Sequence, residues 1–311
     1  MRVALLDDFH PLIKETLKKW GWEVINAQSW EPNDFHIYSH DLDGLFIRSR
    51  ISLNKEVLKN ARKLKFIARP GAGLENIDLN YCKENNIAVF RSPEGNRDAV
   101  AEHTLGMILM LLNKLKFADS EVRDGIWNRE SNRGIELMGK TFAIIGYGFM
   151  GNAVAKRLAG FGVNVIAYDK YLSNFQSDIV KEVSLEEVYS TADFVSLHTP
   201  LDQDTLGLVN DKFIAKFKKP FYLINTARGK SVVLNDLVRA LKTGHVLGAC
   251  LDVLELESSS FENFNFRKNP DFNKLTKMKN VLFSPHIAGW TLESKEKMAI
   301  FLLNKLKQYF L

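Results

Sequence analysis

Short runs of apolar residues alternate with helix-period patterns from the start of the chain. Residues 3–6, 23–27, 44–47, 66–68 and 87–90 have the compact apolar character of buried strands. Between them, residues 11–20, 53–60 and 79–84 repeat their apolar positions at helical spacing. A series of this kind requires parallel strands joined by right-handed crossovers. A longer helical pattern over 98–117, apolar at Leu105, Ile108, Leu109 and Leu112, is read as a bridge into a second domain. Six further strands are expected there, at 141–145, 164–168, 194–197, 222–224, 249–253 and 281–283, enough for a complete doubly wound sheet. The last segment, 291–311, is helical with Met298, Phe301, Leu302 and Leu306 on its apolar face, and is expected to fold back on the first domain. Residues 258–273 interrupt the pattern with interleaved serines, asparagines and phenylalanines, and read as a long ordered loop.

Composition narrows the class. A chain of 311 residues with 46% hydrophobic and 25% charged side chains has room for two ordinary domains and no stretch of disordered character. The first apolar run is stopped by Asp7 and Asp8, so no signal peptide is expected. The most apolar helical stretch, 104–112, is far shorter than the ~20 residues of a membrane span. Cys82 and Cys250 lie far apart and outside any C-x-x-C spacing, which implies neither a disulfide framework nor a metal site and suits a reducing cytoplasm. The net charge of +5 is spread along the chain without the clustering that nucleic acid requires, though it favours small anionic ligands.

Gly146-Tyr147-Gly148-Phe149-Met150-Gly151 follows the strand ending at Ile145 and opens a helix carrying Ala153, Val154 and Leu158. That is the context in which the glycine spacing binds a dinucleotide. Gly146 permits the tight turn, Gly148 allows the backbone to approach a pyrophosphate, and Gly151 allows close helix-to-strand packing. The free N–H groups of the helix start, at Phe149 and Met150, receive the phosphate. Asp169 ends the next strand, where a carboxylate accepts from both ribose hydroxyls and repels a 2′-phosphate, so NAD is expected over NADP. Lys170 beside it would partly offset that repulsion.

Ligands of an open α/β sheet bind beyond the carboxyl ends of its strands. Arg228, Glu257 and His286 each follow a strand of the second series and bring a cation, an acid and an imidazole to that edge. Oxidising a secondary alcohol needs a base for the hydroxyl proton, and the reverse reaction needs an acid; histidine serves both. A carboxylate against its other nitrogen fixes the tautomer, and a guanidinium holds a substrate carboxylate while polarising the 2-keto oxygen.

These segments resemble the D-isomer-specific 2-hydroxyacid dehydrogenase family over almost the whole chain. The residues that carry the resemblance are, in order, 146–151, Ser196-Leu197-His198-Thr199-Pro200, Asn225-Thr226-Ala227-Arg228-Gly229, Leu251-Asp252-Val253 and Ser284-Pro285-His286-Ile287-Ala288-Gly289. The resemblance implies Arg228, Glu257 and His286 as the catalytic set. It implies cofactor contacts from His198, Thr199, Pro200, Thr205, Asn225, Thr226, Ala227, Asp252 and His286, and a homodimer formed largely through the cofactor domains. It also implies an α/β fold of two doubly wound parallel-sheet domains. These would be a flavodoxin-like substrate domain (1–97 plus 286–311) and, inserted in it, an NAD-binding Rossmann domain (98–285), with a cleft between them.

Arg69-Pro70-Gly71-Ala72-Gly73 is similar to the family's substrate loop, whose backbone amides, including those of Ala72 and Gly73, receive a carboxylate. Asp78 is placed to cap the following helix. Arg48 and Arg50 precede a helix of the same domain, with Ser49 between them as a further substrate contact, and with Arg69 the arginines supply more positive charge than one carboxylate needs. The surplus suits a phosphate and points to the phosphoglycerate-oxidising branch of the family, at the entry to serine synthesis. The alternatives are reduction of glyoxylate, hydroxypyruvate or a similar keto acid, and an NAD-sensing binding protein similar to the family's corepressor branch. Two departures stand out: Ser258 occupies the position after Glu257 where the family has proline, and the loop up to Asn280 is long. With Leu311 the last residue, a C-terminal regulatory domain is not expected. Trp290 is expected to pack, and His103 and His198 to be structural in their side chains.

Overall fold

The computed structural model describes residues 1–257 and 266–311. The chain divides into two compact units, Met1–Arg97 with Trp290–Leu311, and Asp98–Glu257 with residues 266–289. Residues 286–289 thus group with the second unit, not the first. The cause is Asp252: its carbonyl accepts the His286 N–H at 2.7 Å, and its carboxylate accepts those of Ile287 and Ala288 at 2.9 Å each.

The first unit is built on five parallel strands, β1 (Arg2–Leu5), β2 (Glu23–Asn26), β3 (Gly44–Phe46), β4 (Phe66–Arg69) and β5 (Ala88–Arg91). Their order, β2-β1-β3-β4-β5, is the flavodoxin-like arrangement. The central strands are buried on both faces and accordingly read as unbroken apolar runs, whereas the edge strands β2 and β5 are part-exposed. Helix α1 (Pro11–Lys19) starts on a proline, buries Ile13 and Leu17 and ends on Lys18 and Lys19, where cations suit the negative end of the helix dipole. Helix α2 (Phe35–Tyr38) follows, buried at Phe35. Helix α3 (Lys55–Leu58) is shorter than its pattern suggested, because Leu53 forms a parallel bridge to Ile77 and Asn54 caps the helix by accepting from the Val57 N–H. Helix α4 (Leu79–Glu84) is capped by Asp78. The C-terminal helix (Leu292–Phe310) opens on a Thr291/Ser294 capping box and packs Ala299, Leu302, Leu303 and Leu306 against Val3, Leu17 and Phe66.

Helix α5 (Arg97–Leu112) leads into the second unit. The single helix expected to reach Phe117 is broken at Lys114, whose φ of 52° ends it, and the chain restarts as α6 (Leu115–Arg123). Seven parallel strands follow: β6 (Thr141–Ile145), β7 (Asn164–Tyr168), β8 (Lys181–Glu182), β9 (Phe194–Leu197), β10 (Phe221–Asn225), β11 (Val246–Leu251) and β12 (Val281–Phe283). Their order is β12-β11-β10-β9-β6-β7-β8. This is the doubly wound dinucleotide-binding sheet with one further strand at an edge. The connecting helices are α7 (Phe149–Leu158), α8 (Leu185–Thr191), α9 (Asp211–Ile214), α10 (Leu234–Thr243) and α11 (Pro270–Leu275). Apolar clusters cover both faces, one around Val195, Leu223 and Leu251, the other around Phe142, Val154 and Ile224. Strand β11 starts and ends earlier than expected, which places Asp252 and Val253 in the loop beyond it. The stretch 258–273 is not uniformly irregular, since Asn269 caps α11 by accepting from the Asp271 and Phe272 N–H groups at 2.9 Å; its first part, 258–265, lies outside the described residues. Among the described residues no helix is long and apolar enough to cross a membrane.

Candidate active site

The strand order reverses between β6 and β9, where a doubly wound sheet opens the crevice that takes its ligand. Gly146 follows β6 at φ +95°, and a Cβ there would lie 2.8 Å from the carbonyl carbon of His198. A Cβ on Gly151 would lie 2.2 Å from the Gly146 oxygen, so both glycines are set by backbone packing. Gly148 differs, with nothing within 4 Å of its would-be Cβ, and it stands as the N-cap of α7 without a side-chain cap. An open backbone at an uncapped helix start, with Phe149 and Met150 in its first turn, fits a pyrophosphate.

Asp169, after β7, accepts the Tyr147 N–H at 2.7 Å on one oxygen and those of Tyr171 and Leu172 at 2.9 Å on the other. The carboxylate is thereby fixed in orientation while keeping lone pairs for ribose hydroxyls. Lys170 does not offset its charge, because its ammonium is bound to Asp204 at 2.6 Å. After β9, the His198 imidazole contacts the buried Ser196 hydroxyl at 2.9 Å. The ring is buried although the residue as a whole is part-exposed, and burial drives its pKa down to about 4. Thr199 and Pro200 continue that loop, and the Thr205 hydroxyl closes it by donating to the Pro200 carbonyl at 2.7 Å.

At the same sheet edge, β10, β11 and β12 are in register through Asn225, Leu251 and Phe283, which sends the three following loops out side by side. Asn225 is fully buried and shapes its loop, accepting the Ala227 N–H and donating to the Arg228 carbonyl. The Thr226 hydroxyl meets that of Thr104 on α5 at 3.1 Å. The Arg228 guanidinium donates to the Ala227 carbonyl at 2.7 Å. Glu257 and His286 meet directly, with imidazole Nδ1 2.8 Å from Glu257 Oε2, while the Leu254 N–H donates to the other oxygen of Glu257. His286 has φ +54°, a conformation that costs a non-glycine residue about 1–2 kcal/mol. Asp252 supports it through the three backbone bonds described above. Burial alone would raise the Asp252 pKa, but hydrogen bonds from His103, Ser284, Ala288 and Ile287 hold it below the usual carboxylate range. His103 and Ser284 were not singled out from sequence as site residues; Ser284 lies two residues from His286, but nothing in spacing links His103 to a residue 181 positions away.

In the first unit the loops after β3 and β4 are joined at one carbonyl. Arg69 Nε and Asn76 Nδ2 both donate to the Arg48 oxygen, at 2.9 and 3.2 Å. Gly71 takes φ +148°, and the Ala72 carbonyl accepts from Arg91. Ser49 and Gly73 lie within these two loops, part-exposed and buried respectively. The Arg48 guanidinium stacks 4.1 Å above the ring of Trp290, an arrangement not expected from sequence. Desolvation lowers the Arg48 pKa, opposed by Asp7 and Asp8. Arg50 has few donors left for a ligand, because its guanidinium donates to the carbonyls of Leu6 and Trp30, and Asp7 and Glu31 nearby partly offset its charge.

A doubly wound sheet with this glycine turn, its acid and a paired histidine defines a dinucleotide-dependent oxidoreductase fold. Residues 105–288 match the model of the D-isomer-specific 2-hydroxyacid dehydrogenase, NAD-binding domain. The chain is 34% identical over 298 residues to the D-3-phosphoglycerate dehydrogenase of Homo sapiens, covering 95% of this chain and 54% of that one. It thus spans about half the length of that relative. It is 33% identical to the hydroxypyruvate reductase of Thermotoga maritima, with 95% of each chain covered. The structure of D-lactate dehydrogenase from Aquifex aeolicus complexed with NAD and lactic acid matches with a TM-score of 0.83 at 29% identity, over 99% of this chain and 95% of that one. The chain belongs to the D-isomer-specific 2-hydroxyacid dehydrogenase family and carries its NAD-binding domain.

Proposed function

We propose that the protein interconverts a D-2-hydroxy acid and its 2-keto acid with NAD. The observation that carries this reading is the His286–Glu257 pair at the edge of a sheet with a dinucleotide turn. NAD, when bound, accepts or supplies the hydride. With Glu257 accepting the Nδ1 proton, neutral His286 presents Nε2 as a base for the substrate hydroxyl. In the reverse direction the imidazolium returns that proton to the forming alkoxide, and Glu257 stabilises the charge. Arg228 holds the substrate carboxylate.

We assign Arg48, Ser49, Arg69, Ala72 and Gly73 to the remainder of the substrate. 3-Phosphoglycerate, oxidised at the entry to serine synthesis, is the first candidate, supported by the names of the phosphoglycerate dehydrogenase relatives. The commitment of Arg50 to backbone carbonyls, and Asp7 and Asp8 near Arg48, favour a second reading in which an unphosphorylated acid such as hydroxypyruvate is the substrate. Oxidation of NADH by phosphohydroxypyruvate, hydroxypyruvate, glyoxylate and pyruvate tests both: the better phosphorylated substrate supports the first reading, the better unphosphorylated one the second, and silence throughout overturns both. A homodimer is the proposed assembly, on the strength of exposed apolar side chains at Leu115, Val122, Ile126 and Trp127. A monomer mass by light scattering would refute it.

A further inference from the structure

We infer that His103, through Ser284, is a positioning residue for proton transfer at His286, building on the catalytic assignment proposed above. The left-handed backbone of His286 is set by Asp252. Asp252 acts through its carbonyl and both carboxylate oxygens, so the orientation of that carboxylate determines where the imidazole points. The carboxylate is in turn oriented by the Ser284 hydroxyl, 2.6 Å from Oδ1.

A hydroxyl has one proton to give. The contact to the Asp252 carboxylate is short and charge-assisted, and it takes that proton in preference to the Met107 sulfur at 3.5 Å. Ser284 Oγ therefore accepts from His103 Nε2, 2.9 Å away. The direction of the chain is fixed: His103 Nε2–H donates to Ser284 Oγ, and Ser284 O–H donates to Asp252. His103 must carry its proton on Nε2. The same nitrogen is 3.5 Å from Asp252 Oδ1, so an imidazolium there would strengthen the chain without reversing it.

The arrangement ties α5, which carries His103, to the two loops that carry Asp252 and His286. Neither His103 nor Ser284 needs to touch substrate to affect the reaction. Both act by holding the imidazole of His286, and a misplacement of about 1 Å can cost on the order of 100-fold in rate.

Two measurements test the inference. Nitrogen-15 NMR of the imidazoles in the whole protein should show neutral His103 as the Nε2–H tautomer; an Nδ1–H tautomer overturns the chain whether or not any substrate turns over. With the best substrate found for the wild type, His103→Leu should lower kcat about 10- to 100-fold, with KM and the NADH Kd changing less than about threefold. His103→Gln places an amide N–H where Nε2–H stood and should recover most of that kcat. Full kcat in His103→Leu overturns the proposal, as does equal loss of kcat, KM and Tm in both variants, which would mark a purely structural role. A wild type inactive on every acid would sink the catalytic reading while leaving the NMR result standing.

Discussion

The carboxyl ends of the two sheets differ in which charge holds most of the loop backbone. In the second unit, Asp169, Asp252 and Glu257 accept backbone N–H groups and so fix the glycine turn, the His286 loop and the imidazole. In the first unit Asp7 accepts the Arg48 N–H at 2.5 Å, but arginines hold more of the backbone, as Arg50 and Arg69 donate to the carbonyls of Leu6, Trp30 and Arg48. A carboxylate that clamps backbone amides retains lone pairs for further donors, whereas a guanidinium used on carbonyls has fewer donors left for a ligand. A count of arginines therefore overstates the donors offered to a substrate.

The largest effect is expected at His286. His286→Ala should lower kcat by about 10²–10⁴-fold while NADH binding, measured by fluorescence titration, stays intact; near-normal turnover would remove the assigned mechanism. A smaller effect is expected from the acid limb of stability. His198 has a folded pKa of about 4, below its ordinary 6.5, so between these values the unfolded chain takes up a proton that the folded one refuses. Its contribution is complete above about pH 6.5 and is lost as the pH falls toward 4, on the order of 3 kcal/mol in all. Denaturation of His198→Gln across that range should show a shallower dependence; an unchanged slope would mean the ring is solvated.

The first unit answers to a pair of arginines. Arg50→Ala should cost about 2 kcal/mol of stability in urea unfolding and leave the acid KM little changed, while Arg48→Ala should raise KM with less effect on stability. The reverse result would return Arg50 to the substrate. Smallest of all, Asp204→Asn should release Lys170 and tighten NADPH binding about two- to threefold, since an exposed ion pair is weak. No change in the NADPH Kd would show that Lys170 already ignores Asp204.

Much of this was legible in the residues themselves. Continuous apolar runs located β1, β3, β4 and most strands of the second sheet, because parallel strands covered on both faces leave no alternation to confuse the pattern. The glycine turn was equally plain, since the strand before it, the glycine spacing and the helix after it are contiguous in the chain. Strand β8 was not legible: Lys181 and Glu182 carry no strand signature and are held by pairing with β7. The break between α5 and α6 has no signature in the apolar spacing, which continues past it, and only the left-handed backbone of Lys114 marks it.

The covalent order of residues by itself determined two parallel α/β sheets, the dinucleotide turn after β6 and the placement of Arg228, Glu257 and His286 beyond the strands of one sheet. Tertiary structure alone decided how those side chains are spent. It brought Glu257 to Nδ1 of His286, turned Arg50 inward to carbonyls and joined His103 to Ser284 across 181 positions. The reason is one of range. Strands and turns answer to neighbours a few residues away, whereas the partner of a charged or polar side chain is whatever folding brings within about 3 Å.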